Sequence, residues 1–270
     1  MKLLMFDLDG TLLNEYSDLN PYTKEVLEKV HRAGVQLGIA TGRPVSTVEK
    51  KLKNWGMEHI ITIVVGMNGS HIKDLETGYF KHLPYMPAEG IAEVIDLFAD
   101  LPCEIAISDE ENLYMKDFTF FAEWISRNDY LHYTQTDFTK EREQEWAKIC
   151  VCAMPEYMPM MLERLRQFKR TDMVGNMASR YTLEFTHNDI NKGVGIRKLC
   201  AGLGIEMDEV MAFGDANNDL RMLEAVGYPV AMINGTDEVK AISKDITKYN
   251  NVEDGVAKYL VEHFDEIVGG

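Results

Sequence analysis

Positive charge is what this chain has too little of. Its 270 residues hold 28 Lys and Arg against 44 Asp and Glu, a formal net charge of −16. So acidic a balance argues against nucleic acid or an anionic membrane as partner, because both need a basic face. An anionic ligand would need positive charge concentrated locally, from a metal, a few Lys or Arg side chains, or helix N-termini. Cysteine is also scarce. Cys103, Cys150, Cys152 and Cys200 show neither CxxC nor zinc-ligand spacing. Cys150 and Cys152 fall on one face of a strand in WAKICVCAM, where reduced, buried thiols are expected. The seven histidines are scattered, with no HExxH and no helical metal pair. No apolar run is long enough to span a bilayer, and the first is broken at Asp7, too short for a secretory signal. These absences predict a soluble, reduced, cytoplasmic protein.

What is present is an alternation of strand and helix signals, in a chain whose 46% hydrophobic content allows a sizeable core. LLMF reads as a buried strand. Asn20-Pro21 then starts a helix with Tyr22, Val26, Leu27 and Val30 on one face, stopped at Gly34. VQLGIA is a second strand, PVSTVEKKLKNWG a second helix, and IITIVV a third strand. Near-continuous apolar strands separated by helices predict a parallel sheet covered on both faces. From Leu83 to His187 the rhythm changes to PAEGIAEVIDLFADL, CEIAIS, NLYMKD, WAKICVCAM, PEYMPMMLERLRQFK, TDMVGN and SRYTLEF, which predicts an α+β unit with an antiparallel sheet. The α/β rhythm then resumes with KGVGIRKLCAGLG, EVMAF, a helix from Asn217, YPVAM, TDEVKAISK and a last helix near Val256–Phe264. With no low-complexity linker at either border, the middle reads as an insertion (83–187) into one α/β core (1–82 and 188–270).

Chemistry enters with FDLDGTL, where Asp7 and Asp9 stand two residues apart at the end of an apolar strand. Two neighbouring carboxylates cost energy unless something cationic lies between them or one stays protonated. Two more polar clusters follow apolar strands, TGRP after LGIA and GDANND after VMAF, and NKG opens a helix just after the insertion. In open parallel sheets the ligand crevice lies at the carboxyl ends of the strands, so the clusters are expected to converge on one edge. Each has a plainer reading by itself. DxDG also makes solvated turns, Asp219 suits the first turn of a helix, and a single lysine such as Lys192 is most often solvated. Four such clusters in one order are harder to dismiss.

That order resembles the four motifs of the haloacid dehalogenase superfamily of phosphohydrolases. The TGR and GDxxND forms, with an insertion between the second and third motifs, are similar to its Cof-type branch, whose members carry a large α/β (type IIB) cap. The resemblance implies a Rossmann-like parallel-sheet core with an inserted α+β cap. It implies Asp7 as nucleophile, Asp9 as general acid and base, Thr41 in the second motif, Lys192 in the third, and Asp215 with Asp219 in the fourth. Mg²⁺ is the implied cofactor, held by Asp7, the backbone carbonyl of Asp9, and Asp215. Hard cations prefer such oxygens. Lys192 would pair with Asp7 and the phosphate, while the Leu8 N–H, the Thr41 hydroxyl, the Gly42 N–H and Asn218 would meet phosphate oxygens. Asp219 would orient Lys192 or a metal-bound water, Ala216 would sit beside the metal, and Gly10 would allow close backbone approach. Arg43 and Asn68 are placed nearer the leaving group.

The implied activity is Mg²⁺-dependent hydrolysis of a small phosphorylated metabolite, foremost a sugar phosphate, through an aspartyl phosphate. The partner is that metabolite, with no nucleic acid and no membrane, in a monomer or small homo-oligomer. Two other readings stay open on the sequence: a phosphomutase of the same superfamily, and a non-catalytic sensor of phosphometabolites, against which an acid–base carboxylate at Asp9 argues. Cap residues Asp109–Glu111, Arg180 and Tyr181 are candidates for reading the leaving group.

Overall fold

The computed structural model describes residues 1–268. The chain begins with β1 (Leu3–Phe6), α1 (Pro21–Arg32), β2 (Gln36–Ala40), α2 (Val45–Trp55), β3 (Ile63–Gly66), β4 (His71–Asp74) and β5 (Phe80–His82). The insertion then runs through α3 (Ala88–Phe98), β6 (Glu104–Ser108), β7 (Asn112–Met115), α4 (Phe120–Asp129), β8 (His132–Gln135), β9 (Lys148–Cys152), α5 (Met158–Leu165), β10 (Met173–Ser179) and β11 (Thr182–His187). The chain returns with α6 (Lys192–Leu203), β12 (Val210–Gly214), α7 (Leu220–Leu223), β13 (Tyr228–Ala231), α8 (Asp237–Ile242), β14 (Asp245–Ile246), α9 (Gly255–Glu262) and α10 (Phe264–Val268). Its contacts divide it into two compact units, Met1–His82 with Asn191 onward, and Leu83–Ile190.

The first unit is built on one eight-stranded sheet in the order β14-β13-β12-β1-β2-β3-β4-β5. Strands β14 to β3 are parallel, and β4 and β5 add an antiparallel edge. The parallel part follows from the sequence: Leu3–Phe6 and Val210–Gly214 are buried throughout, as strands covered on both faces must be. Leu4, Phe6, Leu37, Ile39, Met211 and Phe213 share one core with Val26 and Val30 of α1, Val48 and Leu52 of α2, and Leu260 of α9. The alternate residues face the opposite way, where Val65 of β3 lies against Gly195 of α6. The β4–β5 hairpin carries His71, Lys73, Lys81 and His82, so its pattern is not that of a buried strand.

Strand β1 is the centre of this arrangement. Its neighbours are β12 and β2, and the chain reaches them by crossovers in opposite directions along the sheet. The register sets Phe6 beside both Phe213 and Ile39. The residues that follow these strands, Asp7, Asp215 and Thr41, therefore emerge side by side at the point where strand order reverses, the usual ligand position in such sheets.

The second unit has a six-stranded sheet in the order β10-β11-β9-β6-β7-β8. Its pairs are antiparallel except β7 with β8, which is parallel and is joined by the α4 crossover. Helices α3 and α5 cover one face through Phe98, Val94 and Met161 against Ile149, Val151 and Phe185. Helix α4 covers the other with Phe121 and Ala122, near Leu113, Met115, Cys150 and Cys152. Helix α4 buries only those two residues, too few to print a stripe on the sequence, so the parallel pair that depends on it is not legible there. Among the described residues no helix is long and apolar enough to cross a membrane, and all four cysteines are unpaired.

Candidate active site

Asp7 is the first residue after β1. Its amide donates to the Phe213 carbonyl at 3.0 Å, continuing the β1–β12 ladder by one step and pinning its backbone. The next residues turn sharply: the N–H groups of Thr11, Leu12 and Leu13 all donate to the carbonyl of Leu8, itself fully buried. Gly10 permits this turn, with φ at +87°, and a Cβ there would lie 2.4 Å from Asp215 Oδ2. The Gly10 carbonyl accepts from the Asn234 side chain at 2.8 Å, and Thr11 Oγ1 donates to Asp215 Oδ1 at 2.7 Å. Thr11 thus joins the first motif to the fourth, and Asn234 joins it to the loop after β13. Neither stands out as a site residue from sequence reasoning, although the Thr of DGT offered a signal for the first of them.

Lys192 arrives from another direction, as the first residue of α6. Asn191 caps that helix, its side chain accepting from Val194 N at 3.0 Å, and so fixes where the lysine leaves the backbone. The ammonium is 1% exposed and lies 2.5 Å from Asp7 Oδ1 and 2.6 Å from Asp219 Oδ1. Asp219 Oδ2 accepts from the amides of Asp215 and Ala216, at 3.0 and 3.1 Å. Both oxygens of Asp219 are therefore engaged, which makes it an orienting group that fixes Lys192 and the Asp215 turn together.

One carboxylate oxygen from each of Asp7, Asp215 and Asp219 lies within 4.8 Å of the other two. Three carboxylates against the single ammonium of Lys192 leave an excess of two negative charges in a largely buried place. The electrostatics register this. Burial first, and then the Asp219 and Asp215 carboxylates, push Asp7 well above the usual carboxylate range despite Lys192. Burial and Asp219 likewise push Asp215 up to about 6. Lys192 is raised, because the two carboxylates outweigh the cost of burying its charge. A hard divalent cation held by Asp7 and Asp215 would relieve that excess, and all-oxygen donors are what Mg²⁺ takes. The residues fit the ion that the motifs imply.

The second motif is strapped to the loop after β3. Asn68 N donates to the Thr41 carbonyl at 3.0 Å and Met67 N to the Arg43 carbonyl at 2.9 Å. Met67 and Asn68 both have positive φ, 48° and 54°, a conformation these contacts hold in place. A Cβ on Gly42 would lie 3.0 Å from Asn68 Oδ1, so the Asn68 amide rests against the Gly42 backbone. Thr41 is buried, and its hydroxyl oxygen accepts from Arg43 N at 3.2 Å, leaving its hydrogen to donate elsewhere. The Arg43 guanidinium spans Asp9, with Nε and Nη2 each 2.8 Å from a carboxylate oxygen. Those bonds hold Asp9 below the usual range, outweighing the effect of burial. Asn218 stands exposed on its turn, whereas the neighbouring Asn217 Oδ1 accepts from Thr236 Oγ1.

In the second unit, Asp109 is consumed by its own turn. Oδ1 accepts from the amides of Glu111 and Asn112, both at 2.7 Å, and Oδ2 from the Tyr114 hydroxyl at 3.0 Å. The Arg180 guanidinium stacks on the Tyr181 ring at 4.7 Å.

The sequence model of the haloacid dehalogenase-like hydrolases matches residues 4–260. The chain belongs to that family. It is 27% identical over 282 residues to the 5-amino-6-(5-phospho-D-ribitylamino)uracil phosphatase YitU of Bacillus subtilis, covering 97% of each chain. Among solved structures it resembles a haloacid dehalogenase-like hydrolase of Bacteroides thetaiotaomicron, with a TM-score of 0.85, 24% identity, and 97% of this chain and 98% of that one covered. It also resembles the subclass IIB sugar phosphatase BT4131, with a TM-score of 0.81, 24% identity, and 99% and 100% covered. Within the family this chain is a phosphatase of the Cof-type, type IIB-capped branch.

Proposed function

We propose that this phosphatase hydrolyses monoesters of small phosphorylated metabolites, sugar phosphates foremost, with Mg²⁺ and through an aspartyl phosphate on Asp7. The observation that carries the reading is the buried Asp7 carboxylate, 2.5 Å from Lys192 and grouped with Asp215. Phosphoryl transfer is chiefly a matter of position and charge neutralisation, and this group supplies both.

In the first half-reaction an Asp7 oxygen attacks phosphorus, the bond to the ester oxygen breaks, and Asp9 gives that oxygen its proton. In the second, Asp9 takes a proton from water as the water oxygen attacks phosphorus, releasing inorganic phosphate and restoring Asp7. Lys192 offsets charge on Asp7 and on the phosphoryl oxygens throughout. Thr41 and Gly42 donate to those oxygens, and Asn68 lies where the rest of the substrate would begin. Mg²⁺, held by Asp7, the Asp9 carbonyl and Asp215, would neutralise the charge between carboxylate and phosphate.

The insertion 83–187 acts in this proposal as the cap that selects among leaving groups. The chain works in the cytoplasm, a reading that its unpaired cysteines suit. The named activities of the uracil-derivative phosphatase and of the sugar phosphatase lend weight to a small phosphorylated metabolite as substrate. The test is phosphate release from a metabolite panel with Mg²⁺ and with EDTA, for the natural chain and for Asp7→Asn. Release that needs Mg²⁺ and disappears in a folded Asp7→Asn protein is expected. Release that persists in that variant overturns the mechanism.

A further inference from the structure

The turn after β1 contains a hinge that its own sequence does not hold. Gly10, at φ +87°, has no side chain, so the peptide planes on either side of it can swing unless neighbours fix them. One is the Asp9–Gly10 peptide, whose carbonyl the phosphatase reading gives to Mg²⁺. The other is the Gly10–Thr11 peptide. Its N–H, on Thr11, donates to the Leu8 carbonyl at 3.3 Å, a long bond. Its carbonyl, on Gly10, accepts from Asn234 Nδ2 at 2.8 Å, across 224 residues of chain.

Asn234 lies in the loop between β13 and α8, and both ends of that loop are tied to the fourth motif. Met232 N donates to the Gly214 carbonyl at 3.0 Å, and Thr236 N donates to the Asp215 carbonyl at 2.9 Å. Between these anchors Asn234 reaches past the end of β12 to the turn after β1. Its amide has a donor on one side and an acceptor on the other. Oδ1 accepts from Asn251 N at 3.3 Å while Nδ2 donates to Gly10, so a flipped amide would lose both bonds. Asn251 Nδ2 donates in turn to the Leu13 carbonyl at 2.6 Å, at the far end of the same turn. Asn234 itself is exposed. Its bond therefore adds little by burial, and what it supplies is a direction for the Gly10 carbonyl.

We propose that Asn234 is a positioning residue for the metal ligands: by holding the Gly10 carbonyl from the loop that also holds Asp215, it sets the Asp9 carbonyl in place relative to Asp215. The inference rests on the phosphatase reading above, in which Asp7, the Asp9 carbonyl and Asp215 hold Mg²⁺. This ion demands near-ideal octahedral geometry. A ligand carbonyl beside an unheld glycine must first be ordered, and that ordering is subtracted from the binding free energy. Groups that orient metal ligands commonly contribute about 10–100-fold to metal affinity. The loss on removing Asn234 should therefore fall on Mg²⁺ affinity and not on turnover once Mg²⁺ is saturating. Asn251 supplies the contrast. Its side chain holds Leu13, beyond the buried Thr11 and Leu12, so releasing it should loosen the end of the turn and leave the Asp9 carbonyl where it is.

The experiment titrates MgCl₂ into the natural chain, Asn234→Ala, Asn234→Leu and Asn251→Ala by calorimetry. Melting temperatures with and without Mg²⁺, and turnover of p-nitrophenyl phosphate against Mg²⁺ concentration, are measured on the same proteins. Asn234→Ala and the isosteric Asn234→Leu are expected to weaken Mg²⁺ binding about tenfold or more. Their metal-free melting temperatures should fall by no more than about 3 °C, as for one exposed hydrogen bond. Their turnover at saturating Mg²⁺ should stay within about threefold of the natural chain. Asn251→Ala should lower the metal-free melting temperature at least as much, yet weaken Mg²⁺ by less than about twofold. Unchanged Mg²⁺ affinity in the Asn234 variants overturns the proposal. So does an equal loss in Asn251→Ala, which would mark a general loosening of the turn. Failure of the underlying reading looks different: the natural chain then neither binds Mg²⁺ nor is stabilised by it, and the proposal falls with it. If Asn234→Ala does not fold, Asn234→Leu decides by itself, and Asn251→Ser replaces an unfolded Asn251→Ala.

Discussion

Lys192 Nζ lies 2.6 Å from Asp219 Oδ1 and 2.5 Å from Asp7 Oδ1, so one ammonium is shared by two carboxylates from opposite ends of the sequence. Nothing else in the described cluster opposes three acidic groups. Lys192 thus offsets charge on both carboxylates inside the fold.

Replacing Lys192 with Met should unmask that repulsion. Removing one partner of a buried pair typically costs about 3–5 kcal/mol. The deficit should be larger at pH 8 than at pH 5. With the cation gone, the folded-state pKa values of Asp7 and Asp215 rise further above their unfolded values, so stability falls as pH rises through them. Urea unfolding at both pH values checks this, and a deficit equal at the two would argue against carboxylate repulsion as its cause.

Asp215 links metal to pH. Its pKa is raised from 3.8 to about 6, so the metal-free fold binds an extra proton between those values. Metal-free stability should then decline as pH rises from about 4 through 6, by at most about 3 kcal/mol from this group. Mg²⁺ should accordingly raise the melting temperature little at pH 5 and much more at pH 7.5. Asp215→Asn should stabilise the metal-free protein at pH 7.5 and remove most of the Mg²⁺ effect. Calorimetry with and without the ion distinguishes this from a pH-independent shift, which would contradict it.

Two glycines near the α6 helix that carries Lys192 should behave in opposite ways. Gly69 has φ of +105°, and a Cβ there would lie 2.2 Å from the Asn191 carbonyl oxygen and 3.1 Å from Lys192 N. Gly69→Ala should cost about 1–3 kcal/mol and, by shifting the cap of α6, reduce turnover. Gly202, in the last turn of that helix, would place a Cβ in open space, with nothing within 4 Å. Gly202→Ala should stabilise by about 0.5–1 kcal/mol with turnover unchanged. Melting temperatures in the reverse order would refute the steric account.

Within the insertion, Asp109 and Arg180 should separate stability from selectivity. Asp109 accepts from two amides and a tyrosine hydroxyl in its own turn, so Asp109→Ala should cost about 1 kcal/mol or more. The ratios of kcat/KM among sugar phosphates should not change. Arg180→Ala frees no such turn, and if the insertion selects substrates it should redistribute those ratios. Parallel changes in every substrate for Arg180→Ala would count against Arg180 as a selector.

The parts of this molecule that could be read from sequence are those where one short stretch carries its own physical signature. LLMF, LGIA and VMAF are buried on both faces and must be almost wholly apolar, so they announce central parallel strands. Asp7, Thr41 and Asp215 each stand where such a strand breaks into polar residues, which makes them visible as candidates without any knowledge of their neighbours. Helix α4 and strand β8 left no such mark, because α4 buries only Phe121 and Ala122 and β8 has no fully buried residue.

Tertiary structure alone decided which candidate touches which. The hydrogen bond of Thr11 to Asp215 spans 204 residues and that of Lys192 to Asp7 spans 185. The first depends on β1 and β12 lying side by side, and the second on α6 packing against β3 and the loop that follows it, arrangements that apolar patterning does not encode. The same holds for the fork between Arg43 and Asp9. Sequence places an arginine after one strand and a carboxylate after another. Only the packing of those two strands in register brings the planar guanidinium within reach of both carboxylate oxygens. Local patterning reflects what each segment must bury, whereas the pairing of polar groups reflects where the folded sheet carries them.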